Sequence, residues 1–209
     1  MPTANVYIDG FNFYYRCVKG TPYKWLDFSA LVTRLLPGTK INRIRYFTAR
    51  VRALPHDLGA PARQQVYLRA LETVPNLTIT YGHFLTNEVS MRLASPPIAG
   101  PRFATVLKTD EKGSDVNLAS YLLLDAFRKE ADTALVVSND SDLATPISLA
   151  KAEFKVKIGI TLPRNGQPSR ELGALADFTK HIRDGVLRAS QFPDRMHDAA
   201  GAFSKPPSW

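Results

Sequence analysis

The 209-residue sequence is 44% hydrophobic and carries a formal net charge of +8. That is enough apolar material for one buried core, but no stretch approaches the roughly 20 apolar residues that span a bilayer. A single cysteine, Cys17, excludes an internal disulfide framework and a cysteine-rich zinc site, and residues 1–5 lack the basic and apolar regions of a signal peptide, so a cytoplasmic protein with no membrane partner is expected.

In chain order, Asn5 to Asp9 is rich in β-formers and is closed by Gly10, which predicts a strand ending in a turn. Asp27 or Ser29 is placed to cap a helix that Pro37-Gly38 stops near Leu36. Ile41 to Ala49 reads as a second strand, Ala60 to Thr73 as a helix, and Leu77 to Tyr81 as a third strand. Residues 83–113 are irregular. Phe84 to Thr86 and Phe103 to Leu107 could pair, but the prolines at 96, 97 and 101 exclude a helix between them, and the segment is expected to be a surface insertion or flap. Order returns with a helix from Ser114 to about Lys129, whose apolar pairs recur every four residues. The compact apolar run Thr133 to Ser138 predicts a strand buried on both faces. A helix over Asp142 to Ala152, a strand over Lys155 to Ile160 and a helical region from Ser169 to about Arg188 follow. The polar remainder, residues 189–209, is expected to be a flexible tail. Alternation of this kind implies a single α/β domain over residues 1–188, with a mainly parallel sheet of about five strands and helices on both faces.

The acids fall where such a fold would use them. Asp9 ends the first strand, and Asp140 and Asp142 lie just past the end of the Thr133 to Ser138 strand. Ligands of open α/β sheets bind outside the carboxyl ends of strands, where the strand order reverses. If the first and fourth strands meet there, Asp9 and Asp140 share a crevice, and Asp115 at a helix start can point into it. Carboxylates gathered in this way repel unless protons or a cation intervene. Oxygen donors without Cys or His partners favour Mg²⁺ or Mn²⁺, whose chemistry suits phosphodiester hydrolysis. Singly, each acid is more often a turn residue or helix cap; their joint placement carries the functional reading. Charge distribution agrees, with 13 Lys+Arg against 5 Asp+Glu in residues 1–105 and 14 against 14 in residues 106–209. A basic half suits a polyanionic partner.

Three segments carry a family resemblance: Tyr7-Ile8-Asp9-Gly10-Phe11-Asn12, Lys112-Gly113-Ser114-Asp115-Val116-Asn117, and Ser138-Asn139-Asp140-Ser141-Asp142-Leu143. In this order and spacing the chain resembles the NYN domain, a branch of the PIN-like nucleases that includes the bacterial LabA-like proteins, from about Asn5 to about Ile182. The resemblance implies a Rossmann-like PIN fold and a metal-dependent nuclease acting on RNA. It makes Asp9, Asp115 and Asp140 the main ligands of Mg²⁺ or Mn²⁺, with Asp142 ligating directly or through water. Asn12 and Ser138 become polar neighbours of the site. Asn139 stands where relatives often carry glycine, and asparagine tolerates the left-handed backbone such a turn can need.

Smaller expectations accompany these. Lys112 is a candidate phosphate contact. Arg43, Arg45, Arg50, Arg52, Arg63 and Arg69 could form a phosphate track. Phe11, Tyr14 and Tyr15 divide between base stacking and core packing, with at least Phe11 and one tyrosine assigned to the core. The four histidines show no ligand spacing. A homodimer is compatible with small nucleases of this kind. The alternative from another class is a non-catalytic RNA-binding or regulatory module that keeps the fold. Four acids in one groove weigh against it, because a pure RNA binder gains nothing from them.

Overall fold

The computed structural model describes residues 1–53 and 55–209. Its centre is a six-stranded sheet in which every pairing is parallel. Strand β1 (Thr3–Asp9) lies between β2 (Lys40–Thr48) and β6 (Thr133–Val137); β3 (Leu77–Tyr81) continues on one side, and β7 (Lys157–Leu162) and β8 (Phe178–His181) on the other. Chain order therefore runs outward in both directions from the β1–β6 pair, and the strand order reverses there. Every residue of β6 is buried, as the unbroken apolar run predicts.

Alternation along β1 divides the core into two layers. Val6 and Ile8 pack with Phe28, Leu31 and Leu68 under helices α2 (Phe28–Leu35) and α3 (Ala60–Glu72). Tyr7 faces the other layer, with Leu118 and Leu122 of α4 (Ser114–Phe127) and Ile147 of α5 (Ala144–Phe154). Asp27 rather than Ser29 caps α2, its carboxylate accepting from the backbone N–H groups of Ser29 and Ala30 at 2.8 and 3.2 Å. No helix among the described residues is long and apolar enough to cross a membrane.

Three expectations are corrected. Residues 83–113 are not irregular: β4 (His83–Arg92) and β5 (Phe103–Lys112) form a ten-pair antiparallel hairpin. Phe84 pairs with Glu111, not with the Phe103 to Leu107 run, because the strands extend to the hairpin's base. The expected helix from Ser169 to Arg188 is instead helix α6 (Arg170–Leu175), then β8, then helix α7 (Asp184–Arg188). Asp177 accepts the Ile158 N–H at 2.8 Å and pairs with Lys151 at 2.7 Å, and so lays the chain along β7 as a sixth strand.

Residues 189–209 are packed rather than flexible. Phe192 is buried, and the Trp25 indole N–H donates to the Pro193 carbonyl at 2.9 Å. A hairpin of β9 (Arg195–Asp198) and β10 (Gly201–Ser204) follows. Asp198 holds Arg69 at 2.6 Å, and the Trp209 ring centroid lies 5.6 Å from that of Tyr67. A few large aromatics anchor a segment whose average composition is polar.

Candidate metal and substrate site

The reversal of strand order brings two strand ends together. Ile8 pairs with Val137, so Asp9 and Ser138 are the next residues of adjacent strands. The Ser138 hydroxyl donates to Asp9 Oδ2 at 2.9 Å and accepts the Asp140 backbone N–H at 3.1 Å. The other Asp9 oxygen accepts the Asn12 N–H at 2.9 Å, capping a short helical turn, α1 (Gly10–Phe13). A Cβ on Gly10 would stand 2.8 Å from both the Phe47 carbonyl oxygen and the Tyr46 ring, so only glycine lets that turn start so close to β2. Asn12 Oδ1 accepts the Asn139 N–H at 3.0 Å, tying the two loops together a second time.

Asn139 solves its turn without a left-handed backbone: among the described residues, the non-glycine residues with positive φ are Lys129 and Lys155. Its side chain instead accepts the Ser169 N–H at 2.7 Å and donates to the Gln167 carbonyl at 3.1 Å, which ties the Asp140 loop to the segment before α6.

Asp115 occupies the first turn of α4. Gly113 precedes that helix at φ 98°, a conformation open to glycine, and links it directly to the base of the β4–β5 hairpin. Glu111, at the end of β5, accepts the Ser114 N–H at 3.2 Å and its hydroxyl at 2.6 Å. Sequence reasoning missed Glu111, because it lies in the stretch read as irregular. Its one signal was an acid placed three residues before a helix-opening serine.

Asp9, Asp115, Asp140 and Glu111 line one cavity of about 370 Å³, together with Asn12, and with Arg16 and Tyr15 from the helical segment after β1. Phe11 and Phe84 meet edge to face across it, with ring centroids 5.6 Å apart. Phe11 is thus a cavity wall rather than the core residue expected, and Arg16 is a cation that sequence reasoning did not single out. Asp142 lines an adjoining cavity with Asp115, Glu111 and Lys112, so the four predicted acids do not share a single space. The Asp142 backbone N–H is held by Asp140 Oδ1 at 3.0 Å. Lys112 is exposed and lies 3.8 Å from Asp110, on the Asp142 side and away from Asp9.

Most of the arginine track is already engaged. Arg45 is buried against Asp125, Arg43 pairs with Glu130 at 3.2 Å, Arg63 with Asp57, and Arg69 with Asp198. Arg50 is bonded to Gln65 and lies over the Tyr81 ring at 4.8 Å. None of the four histidines lines the carboxylate cavity. Cys17 is buried, and burial pushes its thiol up, away from nucleophile chemistry.

The acids interact electrically. Burial first, with the charges of Asp115 and Asp140 adding to it and the hydrogen bonds from the Asn12 N–H and Ser138 offsetting part, pushes the Asp9 carboxyl up to about 6. Asp115 is raised first by burial and then by Asp140, Glu111 and Asp142. Among the described residues no three such side chains already stand as a ligand cage. The donors surround a cavity instead, and their oxygen-only chemistry and mutual repulsion fit a hard divalent cation.

A carboxyl whose folded-state pKa exceeds its unfolded value costs stability as it ionises. For Asp9 the cost enters between the ordinary value of 3.8 and about 6 and is fully present above that range. Asp9→Asn, which keeps an acceptor for the Asn12 N–H, should therefore gain stability over wild type as pH rises from about 4 to 7 in chelator, on the order of 2–3 kcal/mol. Chemical denaturation at the two pH values measures it. A difference that does not move with pH would contradict the assignment.

The chain resembles known proteins in sequence and in fold. The NYN domain model matches residues 3–182. The 6-hydroxy-3-succinoylpyridine 3-monooxygenase HspA of Pseudomonas putida is 32% identical over 235 aligned residues, spanning 99% of this chain and 75% of its own. A crystal structure of a Vibrio parahaemolyticus protein of unknown function superposes with a TM-score of 0.56 over 91% of this chain and 96% of its own, at 16% identity, a likeness of fold alone.

Proposed function

The chain belongs to the NYN domain family, and from that membership we propose that its carboxylate cavity hydrolyses phosphodiester bonds in RNA with the aid of Mg²⁺ or Mn²⁺. One observation carries the reading: acids from the end of β1, the loop after β6 and the start of α4 line a single cavity where the strand order reverses. Asp9, Asp115 and Asp140 would hold the cation, with Glu111 as a fourth donor in the same cavity and Asp142 beside it. When bound, the cation supplies a Lewis acid for a phosphoryl oxygen and acidifies a bound water.

The chain's own groups do the rest. Ser138 and the Asn12 N–H fix the Asp9 carboxylate, so that its oxygens are aimed before substrate arrives. Arg16 is the cavity's cation and the natural contact for a phosphate oxygen. Phe11 and Phe84 form an apolar wall that limits water.

A second reading follows from the Pseudomonas putida relative, whose name is that of a monooxygenase acting on 6-hydroxy-3-succinoylpyridine; its match along 99% of this chain favours it. A cavity of carboxylates without histidine suits a hard ion and phosphoryl chemistry better than the histidine-rich sites of non-haem iron oxygenases. The test sets the readings side by side. Single-stranded and structured RNA with Mn²⁺ or Mg²⁺ should be cut, and chelator should stop the cutting. Intact RNA together with consumption of 6-hydroxy-3-succinoylpyridine would replace this function with the second. Bound but uncut RNA would favour a non-catalytic RNA-binding module.

A further inference from the structure

Beside the carboxylate cavity lies a larger one, of about 680 Å³, of opposite character. Its walls are aromatic: Phe13, Phe28, Tyr46 and Tyr67 are buried within them, and Trp209 of the C-terminal segment closes one side. The rings contact one another, with centroids 5.0 Å apart for Phe13 and Phe28, 5.3 Å for Phe28 and Tyr46, and 5.6 Å for Tyr67 and Trp209. Packed interiors leave few voids larger than a water molecule, whereas pockets of several hundred Å³ with apolar walls and a few polar groups are the usual form of a small-ligand site.

The charge of the lining is also selective. Lys19, Lys24 and Arg52 contribute to it, and among the described residues none of them has a carboxylate within ion-pair distance. Lys19 lies over the Tyr15 ring at 4.6 Å. The acid in the lining, Asp57, is neutralised by Arg63. Aromatic faces accept a flat ring and unpaired cations accept an anion.

We propose that this cavity binds a planar heteroaromatic ring that carries an anionic group, with the ring among the aromatic walls and the anion at Lys24 and Arg52. Two sources share that chemistry: a nucleotide unit of a bound strand and a free aromatic acid. Phe11 and Tyr15 line both cavities, so the two spaces adjoin through these two side chains. Binding here does not depend on what those carboxylates catalyse.

Isothermal titration of the full chain, in chelator, tests the proposal with four probes: uridine monophosphate, nicotinate, uridine, and inorganic phosphate. One of the two probes that join ring and anion should bind at least about tenfold tighter than uridine or phosphate. Arg52→Ala and Lys24→Ala, both partly or fully solvent-accessible positions, should each weaken it by about tenfold, with unchanged thermal unfolding as the control for folding. Preference for the nucleotide assigns the cavity to a strand, and preference for nicotinate assigns it to a free acid. The proposal is overturned if neither probe exceeds uridine and phosphate, or if Lys24→Ala and Arg52→Ala both bind as wild type does. Because no cation is present, a failure here leaves the cleavage result standing, and a failure of cleavage leaves this one standing.

Discussion

Asp140→Asn should lower RNA cleavage by about 10²–10³-fold, the loss typical when one pre-placed group that stabilises developing charge is removed. The substitution changes little else. The backbone N–H of residue 140 still donates to Ser138, and an asparagine Oδ1 can still accept the Asp142 N–H, so the turn that aims the side chain survives. What disappears is a negative oxygen facing Asp9 and Asp115 across the cavity. RNA binding should persist or tighten, because a negative charge has left the path of a polyanion. Electrophoretic binding and cleavage assays on the same RNA separate the two effects. Cleavage within about fivefold of wild type would remove Asp140 from the reacting site, since a true ligand is expected to cost far more.

Asp125→Ala should cost the fold about 3–5 kcal/mol. The Asp125 carboxylate meets Arg45 through two hydrogen bonds of 2.7 Å and accepts the Tyr7 hydroxyl at 2.9 Å; the side chains of Arg45 and Asp125 are 6% and 1% exposed. Arg45 also lies over the Tyr121 ring at 4.2 Å. Burial first, and then the charge of Asp125, raise the Tyr7 phenol, so it remains a neutral donor. Removing Asp125 strands the Arg45 charge inside the layer beneath α4. Replacing both partners with apolar residues of similar volume should recover most of the loss, since the cost lies in the unpaired charge rather than in the missing bond. Urea denaturation of the single and double variants measures it. Equal losses in both would contradict this origin. The exposed Lys108–Asp110 pair, cut in the same way, should have no measurable effect.

Much of this was legible in the sequence, for identifiable reasons. Five of the six central strands fall within two residues of their expected limits, because a strand buried on both faces must be a dense run of β-branched and aromatic side chains, as in Thr133–Val137. Asp9, Asp115 and Asp140 were legible because each sits where an element begins or ends. β8 was hidden by a weak four-residue pattern that is stabilised from outside, through Asp177 and Ile158. Glu111 was hidden because its place depends on hairpin register, which pairs residues nearly 30 positions apart, Phe84 with Glu111. The partner of Arg45 was hidden for the same kind of reason: Asp125 is 80 residues away, and alternation along β2 alone cannot say which face an ion pair fills. In the C-terminal segment, composition suggested disorder, whereas three aromatics, Phe192, Phe203 and Trp209, decide the packing around Trp25.

The proposed hydrolysis requires that the separated acids share one divalent ion. Anomalous diffraction from crystals soaked in Mn²⁺ locates that ion directly. A peak within about 2.0–2.2 Å of carboxylate oxygens from Asp9 and Asp140, with Asp115 or Glu111 also in its shell, is the predicted result for a hard octahedral ion of this class. Manganese bound only at the exposed Asp142 side, or none in the cavity at a concentration that supports cleavage, would contradict it.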